Sequence, residues 1–555
     1  MMQNNNPPLK LDFNERSDGS PEWVKQKLAQ NSELPLWLYP DRSVLEKSIA
    51  RFNNLSTEQV LATNGADEAI QLILLACKFG YLNIDQVLLP TPTFSMYEKG
   101  LQQWQLNFTI IKPYVDFCIN QQQITDDFQQ MPRSLLILVR PNNPTGEQVS
   151  SEFLQQLLTF AEINNSLIVI DEAYSDFAGD NCTSLLRNSK QVILLRTFSK
   201  AYGLAGIRTG YILAAETIIG ILAGIAMPFN VSTLSLTLAG SCFEKTAQQD
   251  LSRYVDKIKQ NREVLQNLLQ QLTINISDSQ GNFIFFTLKN KRYQLFVNYC
   301  QQQNIQIRTF NDPLLKNSIR LTIPFNIDRL EKLFRLVFKP DLICLDMDGT
   351  LIDVSQSYDA AIKATVNYFS NEDVSQADIE QLRASGGFNN DWVLSQQLLQ
   401  QSGMEVTLAN VTEKFQQFYL GTTETGGLIE NEKILVSQQT LEQLQNTTLA
   451  IVTGRPGAEA KMGCDRLELN CEVISIDDVA IGKPDAESIL KARNITRTEN
   501  CWMVGDNVDD MQAAVNAQAL AIGINSSGSL EYEKILYEAG ATLVINDIND
   551  VEILL

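Results

Sequence analysis

Histidine is absent from this chain of 555 residues. At ordinary usage about a dozen would be expected. Because imidazole is the side chain that most often carries protons or binds metals near neutral pH, any catalysis here must use Lys, Asp, Glu, Tyr, Cys or water. The nine cysteines include no CxxC pair, and the closest two, Cys464 and Cys471, suit neither a zinc ribbon nor a disulfide framework. A zinc or copper site is therefore not expected, and a reducing, cytoplasmic location is the default.

An excess of basic charge and a long apolar run are also missing. The chain has 44 Lys and Arg against 65 Asp and Glu, a formal net charge of −21, so neither nucleic acid nor an anionic membrane is an expected partner. The most apolar segment, residues 218–229, is too short to span a bilayer, and the first ten residues do not resemble a signal peptide. A phosphorylated substrate is still compatible with this charge, because an anion site needs only local arginines and amides.

The arrangement of apolar runs predicts an α/β protein with more than one domain. Short apolar runs alternate with helical stretches, which is typical of βαβ units with parallel sheets. In the first series, strands are predicted at 135–139, 167–170 and 192–195, and each is followed by a polar cluster. Because ligands of open α/β sheets bind at the carboxyl ends of strands, these clusters are expected to converge.

A second series of strands follows Lys339-Pro340, which is the predicted domain boundary. Its strands are predicted at 341–345, 449–452 and 502–504. A segment with a helical pattern, residues 358–436, interrupts this series and is predicted to form a lid. Within the lid, the residues expected to face the second site are Gly386, Gly387, Asn389, Asn390 and Asp391.

The polar clusters of the first series offer the groups that pyridoxal phosphate requires. A lysine must hold its aldehyde, a carboxylate must keep its ring nitrogen protonated, and an arginine with hydroxyl groups must hold its phosphate. The chain provides these groups as Lys200, Asp171, Arg208 with Thr197, and Asn143 with Tyr174 for the phenolic oxygen. Any one of them alone is also typical of a surface pair, a turn or a helix cap.

Taken in order, these motifs resemble fold-type I aminotransferases, and within them the histidinol-phosphate aminotransferase family. The resemblance covers about residues 8–338 and rests on NNPTG at 142–146, DEAY at 171–174, TFSKAYGLAGIR at 197–208, LDFNER at 11–16 and SQGNF at 279–283. It implies a large domain at 41–240 with a mixed sheet, a small domain formed by 1–40 and 241–338, and a homodimer.

The resemblance also implies roles for individual residues. Lys200 would hold the cofactor and carry the proton during the reaction. The other implied cofactor-binding residues are Tyr39 from the partner subunit, Gly65, Ala66, Asp67, Phe94, Asn143, Asp171, Tyr174, Thr197 and Arg208. The implied substrate-binding residues are Asn14, Glu15, Asn282, Arg308 and Arg320. Phe94 departs from the family, which often has Tyr there, so one hydroxyl contact is lost.

The second series offers the groups for hydrolysis of a phosphate monoester. Asp346, at the end of the first strand, is the candidate nucleophile, and Asp348 is the candidate acid for the leaving alcohol. Thr453, Gly454 and Lys483 would hold the phosphoryl group as substrate-binding residues. The metal ligands would be Asp346, Asp348, Asp506 and Asp510, and such a set of hard oxygens suits Mg²⁺.

These second motifs resemble the haloacid dehalogenase superfamily. LDMDGT at 345–350, the strand end at Thr453, GKP at 482–484 and GDNVDD at 505–510 follow its order, and the second aspartate favours a phosphatase. The resemblance covers about residues 341–555. It implies a Rossmann-like core at 341–357 and 437–555 with a helical cap at 358–436.

The two parts together predict consecutive steps on one small phosphorylated metabolite. Glutamate would donate an amino group to imidazole-acetol phosphate, giving histidinol phosphate and 2-oxoglutarate, and the phosphatase would then release histidinol. The alternative is an aromatic or other aminotransferase, or an enzyme like threonine-phosphate decarboxylase, fused to a phosphoglycolate-type phosphatase. A regulatory or scaffolding role without catalysis is a third possibility, against which the intact lysine and aspartates argue.

Overall fold

A computed structural model describes residues 7–31, 34–384, 388, 390–422 and 425–555. The chain forms two compact units. One comprises Pro8–Leu288 and Ile305–Arg329, and the other comprises Lys289–Asn304 and Leu330–Leu555. Among the described residues, no helix combines the length and apolar character that crossing a bilayer requires.

The N-terminal unit is built on a mixed sheet. Its strands are β1 (Leu9–Lys10), β2 (Val60–Thr63), β3 (Gln86–Pro90), β4 (Phe108–Ile111), β5 (Ser134–Val139), β6 (Leu167–Asp171), β7 (Val192–Thr197), β8 (Gly210–Ala214), β9 (Phe283–Thr287), β10 (Ile305–Gln306), β11 (Arg308–Thr309) and β12 (Ser318–Thr322). Its helices are α1 (Glu22–Gln30), α2 (Ser43–Asn53), α3 (Gly65–Lys78), α4 (Ser95–Gln103), α5 (Gln121–Gln130), α6 (Ser151–Asn164), α7 (Ser175–Ala178), α8 (Leu185–Asn188), α9 (Glu216–Ile225), α10 (Thr233–Ser241) and α11 (Lys245–Gln271).

Strand order in the large sheet is β2-β8-β7-β6-β5-β3-β4. β8 runs antiparallel to both of its neighbours, and the remaining pairs are parallel. β5 and β6 are buried along their whole length, which explains their continuous apolar sequences. The parallel order places the carboxyl ends of β5, β6 and β7 side by side, where the predicted polar clusters follow.

A smaller antiparallel sheet, β11-β12-β9, lies later in the same unit. Near the start of the chain, β1 pairs with β10 in parallel, and the backbone amide of Thr322 donates to the carbonyl of Leu11. These bonds hold residues 11–16 close to β12. The long helix α11 connects the two sheets.

The C-terminal unit contains a parallel sheet in the order β17-β16-β13-β18-β19-β20. The strands of this unit are β13 (Leu342–Leu345), β14 (Ile352–Asp353), β15 (Lys433–Ile434), β16 (Thr448–Val452), β17 (Glu472–Ile474), β18 (Cys501–Gly505), β19 (Leu520–Ile524) and β20 (Leu543–Ile545). Its helices are α12 (Asn290–Gln302), α13 (Asp328–Phe338), α14 (Tyr358–Ser370), α15 (Gln376–Ala384), α16 (Asp391–Gln401), α17 (Leu408–Leu420), α18 (Gln438–Leu444), α19 (Gly457–Arg466), α20 (Glu487–Thr496), α21 (Val508–Asn516) and α22 (Leu530–Ala539).

Short 3-10 helices complete both units, at Thr57–Gln59, Ala205–Ile207, Pro313–Leu315, Leu428–Asn431, Ile476–Asp478 and Ile548–Ile553. The mixed sheet of the first unit and the Rossmann-like sheet of the second confirm the predicted α/β fold class.

Helices α14 to α17 form a helical insertion between β13 and β16. The two chain passages that lead into and out of it pair as the antiparallel strands β14 and β15. The inner faces of α14 and α17 meet through the rings of Tyr358, Phe415 and Tyr419, and all three residues are buried. The segment predicted to be a lid is therefore helical in its described residues.

Helix α12 and nearly all of α13 group with the C-terminal sheet, whereas the predicted domain boundary lies after both helices. The rings of Phe296, Phe334 and Phe338 stack with centroids 5.4–6.1 Å apart. The fully buried Trp502 donates its indole N–H to the carbonyl of Leu336 at 2.6 Å. Residues that precede Lys339-Pro340 in the sequence thus supply part of the core of the C-terminal unit.

Candidate active sites

The first candidate site lies where β5, β6 and β7 end. Asp171 is the last residue of β6 and is almost fully buried. Lys200 follows β7, and its Nζ donates to the carbonyl of Phe13 at 2.8 Å. The same Nζ lies 5.7 Å from the centre of the Tyr174 ring. Neighbouring strand ends therefore place an amine, a carboxylate and a phenol in one region, as the sequence predicts.

Burial dominates the electrostatics of Asp171. It raises the pKa of this carboxyl from its ordinary 3.8 to about 6, although two hydrogen bonds stabilise the charged form. The hydroxyl of Tyr97 donates to one oxygen at 2.9 Å, and the backbone amide of Ala173 donates to the other at 3.0 Å. A buried carboxylate with a raised pKa is suited to share a proton with a ring nitrogen, which would partly compensate its charge.

Tyr97 was not among the residues predicted from sequence. It lies one turn into α4 and is 1% exposed, so its hydroxyl has to find a partner inside the protein. A signal was present, because an aromatic residue that carries a hydroxyl stands on the buried face of a helix close to Phe94, an implied cofactor-binding residue. The rings of Phe94 and Tyr97 meet edge to face at 6.3 Å.

A phosphate cradle is recognisable at the start of α3. Gly65 opens this helix with φ +75°, and a Cβ at that position would lie 2.9 Å from Nη2 of Arg208. Arg208 pairs with Asp67 at 2.8 Å, and both side chains are about half exposed. The free N–H groups of a helix N-terminus together with an arginine form a site for a phosphate. Ala66 lies on the same first turn.

Thr197 adds a hydroxyl at the end of β7. Its Oγ1 lies 2.9 Å from Oγ of Ser199 and accepts the backbone amide of Ser199 at 3.1 Å. The donors around Gly65, Arg208 and Thr197, the carboxylate of Asp171 and the amine of Lys200 match the phosphate, ring nitrogen and aldehyde of pyridoxal phosphate. The residues present therefore fit this cofactor.

The predicted substrate residues form a second cluster beside Tyr174. Asn14 donates to the Tyr174 hydroxyl at 3.0 Å, and Arg320 donates to Oδ1 of Asn143 at 2.6 Å. The Nδ2 of Asn143 lies 3.5 Å from the same hydroxyl. Asn282 donates to the carbonyl of Asn14 at 3.1 Å.

Two buried polar atoms of this cluster find no hydrogen-bond partner among the residues that the structure describes: Nε of Arg320 and Oδ1 of Asn282. A buried polar atom without a partner costs free energy, so both are natural contact points for a polar ligand. Burial lowers the pKa of Arg320 below its ordinary value.

Two of the predicted residues, Glu15 and Tyr39, make their side-chain contacts outside these clusters, whereas Arg308 stands opposite Arg320 in the register of β11 and β12. Glu15 is paired with Lys10 at 2.8 Å near the surface. Arg308 is exposed and lies over the ring of Phe310. Tyr39 is 81% exposed and stacks on Phe229 with centroids 4.4 Å apart.

The second candidate site lies at the carboxyl edge of the parallel sheet in the C-terminal unit. Asp346 follows β13, and Asp506 follows β18. Carboxylate oxygens of Asp346, Asp506 and Asp510 lie within 4.8 Å of one another. The sheet order β16-β13-β18 makes these strand ends neighbours, as the sequence predicts.

Lys483 lies between two of these carboxylates. Its Nζ donates to Asp346 at 2.7 Å, to Asp510, and to the carbonyl of Val452 at 3.1 Å. Burial opposes its charge, but the two aspartates outweigh this effect and raise its pKa. Burial also raises the pKa of Asp346, against the effect of Lys483, and raises that of Asp506 to about 7, with Asp510 adding to the increase.

The absence of side chains at two glycines lets these carboxylates approach. A Cβ at Gly349, which has φ +73°, would lie 2.1 Å from Oδ2 of Asp506, and one at Gly505 would lie 2.2 Å from Oδ2 of Asp510. Three carboxylates this close repel one another unless cations are present, and one ammonium does not balance them. The donor set therefore fits a divalent cation that prefers oxygen ligands, such as Mg²⁺.

Asp348 was predicted as both acid and metal ligand, and the structure places it outside the cluster of three carboxylates. Its Oδ1 pairs with Arg455 at 2.6 Å. Arg455 is 1% exposed and also pairs with Glu432 at 2.9 Å. Glu432 in turn pairs with Arg466 at 2.9 Å.

Arg455 and Glu432 were not identified from sequence, although Arg455 comes two residues after Thr453. Thr453 accepts the backbone amide of Arg455 at 3.2 Å. Thr453, Gly454 and Lys483 line one cavity together with Asn390, and Asn390 and Asp391 line another with Asp348. Gly386, Gly387 and Asn389, which were also expected to face this site, lie outside the described residues.

Comparison with known proteins gives a family for each half of the chain. A model described as "Aminotransferase class I and II" matches residues 6–335, and one described as "haloacid dehalogenase-like hydrolase" matches residues 340–518. The histidinol-phosphate aminotransferase of Brachyspira hyodysenteriae is 31% identical over 322 residues, which are 57% of this chain and 87% of that protein.

Two solved structures share the fold of the N-terminal unit. The histidinol-phosphate aminotransferase of Sinorhizobium meliloti, in complex with pyridoxal-5'-phosphate, is 22% identical with a TM-score of 0.52, covering 59% of this chain and 88% of that one. The L-threonine-O-3-phosphate decarboxylase of Porphyromonas gingivalis is 21% identical with a TM-score of 0.51, covering 59% and 97%. The fold is thus common to enzymes of different reactions.

Proposed function

Since this chain belongs to the class I and II aminotransferases and carries a haloacid dehalogenase-like hydrolase domain, we propose that it catalyses two consecutive steps of histidine synthesis. The first site would transfer the amino group of glutamate to imidazole-acetol phosphate, giving histidinol phosphate and 2-oxoglutarate. The second would hydrolyse histidinol phosphate to histidinol and phosphate. The observation that carries the proposal is the fusion itself. The product of a histidinol-phosphate aminotransferase is a phosphate monoester, and the second site of this chain has the groups to cleave one.

In the first site, pyridoxal phosphate would supply an electron-accepting ring. The chain's own residues would do the rest. The Nζ of Lys200 would hold the aldehyde, and once released it would carry the proton that leaves the substrate carbon. Asp171 would keep the ring nitrogen protonated, and Asn143 and Tyr174 would donate to the phenolic oxygen.

Arg320 would hold the anionic end of the substrate. Its unpartnered Nε and its position beside Asn143 support this role. Asn14 and Asn282 would close the other side, since residues 11–16 lie directly beside Lys200 and Tyr174. Both asparagines are buried, so they would limit the access of water on this side.

In the second site, a carboxylate oxygen of Asp346 would attack phosphorus and form an aspartyl phosphate. The bond between phosphorus and the ester oxygen breaks, and the alcohol takes a proton from Asp348 as it leaves. Water activated by the Asp348 carboxylate would then attack phosphorus, releasing phosphate and restoring Asp346. Lys483 and Thr453 would hold the phosphoryl oxygens, and Mg²⁺ at Asp346, Asp506 and Asp510 would neutralise their charge.

A homodimer would complete the first site. Leu36, Trp37, Leu38 and Tyr39 are 58–81% exposed, and Met227 and Phe229 nearby are also exposed. A contiguous apolar surface of this kind is typical of a subunit interface. Tyr39, which lies on it, would reach the cofactor phosphate of a partner subunit, which is the role that the family resemblance implies.

The test supplies the purified enzyme with glutamate and imidazole-acetol phosphate and follows 2-oxoglutarate and free phosphate. We expect both, with phosphate appearing after 2-oxoglutarate. Lys200→Ala should form neither from these substrates but should still release phosphate from histidinol phosphate added directly. An enzyme that makes no 2-oxoglutarate from imidazole-acetol phosphate, and instead uses an aromatic keto acid or decarboxylates threonine phosphate, would overturn the assignment.

A further inference from the structure

A cavity adjoins Asp348 on the side of the helical insertion. Its lining includes Asp348, Tyr358, Asn390, Asp391, Trp392 and Arg455. Because Asp348 is the proposed proton donor to the leaving alcohol, the body of that alcohol has to occupy this cavity. The chemistry of its lining therefore selects which phosphate esters are cleaved.

The one arginine of this lining is already engaged. Arg455 is held between Asp348 at 2.6 Å and Glu432 at 2.9 Å, and it is 1% exposed. It cannot turn to an anionic leaving group without breaking its ion pairs with Asp348 and Glu432, which would leave Asp348 without this partner and Glu432 dependent on Arg466. A leaving group that carries a carboxylate, such as that of phosphoglycolate, would find no free cation here.

The opposite wall carries negative charge that is not balanced. Arg383 is shared between Asp359 at 2.8 Å and Asp391 at 2.9 Å, so two carboxylates compete for one guanidinium. Asp391 lies in the first turn of α16, whose N-terminus offsets about half a charge. Asp391 nevertheless borders the cavity on this wall, across from Asp348, and its side chain is 16% exposed.

Trp392, an aromatic residue, follows Asp391 in the lining. A carboxylate beside an aromatic face is a favourable setting for an ammonium group, which gains from both the charge and the ring quadrupole. Asn390 caps the N-terminus of α16, because its Oδ1 accepts the backbone amides of Trp392 and Val393 at 3.0 and 3.2 Å. The carboxylate is thus held in place before any ligand enters.

We propose that Asp391 recognises an ammonium group on the leaving alcohol, so that the second site cleaves 2-aminoalkyl phosphates in preference to the matching 2-keto phosphates and to anionic esters. This inference rests on the proposed function of both sites. Transamination of a 2-keto phosphate creates an ammonium on the carbon next to the ester carbon, and the keto precursor lacks it. Asp391 therefore directs the phosphatase to the product of the first reaction, and it limits hydrolysis of the keto substrate before transamination.

The experiment measures kcat/KM for phosphate release in the full chain with Mg²⁺, in a Lys200→Ala background so that the keto and amino forms do not interconvert. Two substrate pairs are compared, histidinol phosphate with imidazole-acetol phosphate, and 2-aminoethyl phosphate with ethyl phosphate. The aminated member of each pair should be favoured by roughly 10- to 100-fold, the worth of a charge-assisted hydrogen bond. Asp391→Asn should reduce that ratio toward one, and Asp391→Glu should restore part of it.

The outcomes separate this inference from the proposed function. If the enzyme cleaves histidinol phosphate but shows no preference over imidazole-acetol phosphate, or if Asp391→Asn keeps the ratio, the inference fails and the function stands. If histidinol phosphate is not cleaved while 2-aminoethyl phosphate is still preferred over ethyl phosphate, the inference stands and the substrate assignment fails. A preference for phosphoglycolate overturns the inference. Should Asp391→Asn fail to fold, the wild-type ratios and Asp391→Glu still decide.

Discussion

The replacement of Asp171 by Asn should stabilise the cofactor-free protein while it damages transamination. Asp171 is 3% exposed, and burial is the main reason why the pKa of its carboxyl rises from 3.8 to about 6. An amide keeps the shape and the hydrogen bond from Ala173, and its nitrogen can donate to the oxygen of Tyr97. The hydroxyl proton of Tyr97 then loses its acceptor, so the variant removes a buried charge without leaving a cavity but gives up one hydrogen bond.

The magnitude follows from the pKa of the folded and unfolded states. Because the folded-state pKa is the higher one, the folded protein binds this proton more tightly, and that contribution is complete below pH 3.8 and lost as pH rises through about 6. Each pKa unit is worth about 1.36 kcal/mol, so the ionised Asp171 costs about 3 kcal/mol near pH 8 and about 1.5 kcal/mol near pH 5. Asp171→Asn should recover these amounts less about 1 kcal/mol for the acceptor that Tyr97 loses, and transamination should fall because the ring nitrogen loses its carboxylate.

Urea unfolding of the cofactor-free full chain, followed by circular dichroism at both pH values, measures the effect. Tyr97→Phe is the matched control, because it removes a donor that stabilises the charged form and should destabilise the protein more near pH 8 than near pH 5. A variant Asp171→Asn that is less stable than wild type near pH 8, or whose gain does not depend on pH, would refute the reasoning.

Three further predictions concern the C-terminal unit. Asp346→Asn, or EDTA, should abolish phosphate release and leave transamination near wild type, as measured in one coupled assay, and loss of both activities would contradict two separate sites. Gly349→Ala should abolish phosphatase activity, since its Cβ would lie 2.1 Å from Oδ2 of Asp506 and its φ of +73° costs a further 1–2 kcal/mol or so. Gly528→Ala, with φ +66° and open space around it, should lower stability by the backbone cost alone, and equal phosphatase activities of the two variants would argue against this explanation. Trp502→Phe should lower the free energy of unfolding of this unit by about 1–3 kcal/mol, because a buried carbonyl of α13 loses its donor, and an unchanged urea midpoint would show that α13 does not contribute to that core.

Much of both sites follows from the ends of strands. Asp171, Lys200, Asp346 and Asp506 each stand at or just after an apolar run that is long enough for a strand and too short for a helix. In parallel sheets such positions meet at one edge, so the order of motifs along the chain was sufficient to predict which side chains converge. The same reasoning predicted the α/β class and the helical insertion.

Contacts between side chains far apart in sequence could not be predicted in this way. Nothing local to Tyr97 indicates that its hydroxyl meets Asp171, because that contact depends on how α4 packs against the sheet. Likewise, nothing local to Arg455 indicates its ion pair with Glu432, which lies on the other side of β16 in the sequence, at the end of the helical insertion. Both contacts are set by packing, which the periodicity of a single segment does not encode.

The sequence by itself determined the two families, the strand-end residues and the chemistry that an absence of histidine leaves open, because these depend on residue type and local spacing. Only the tertiary structure decided which charges are paired and which remain available. It joined Asp348 to Arg455, left Asp391 sharing Arg383 at the wall of a cavity, and assigned α12 and α13 to the C-terminal unit. The physical reason is that charge balance and burial are properties of neighbours in space, and the neighbours of these residues lie tens to hundreds of positions away along the chain.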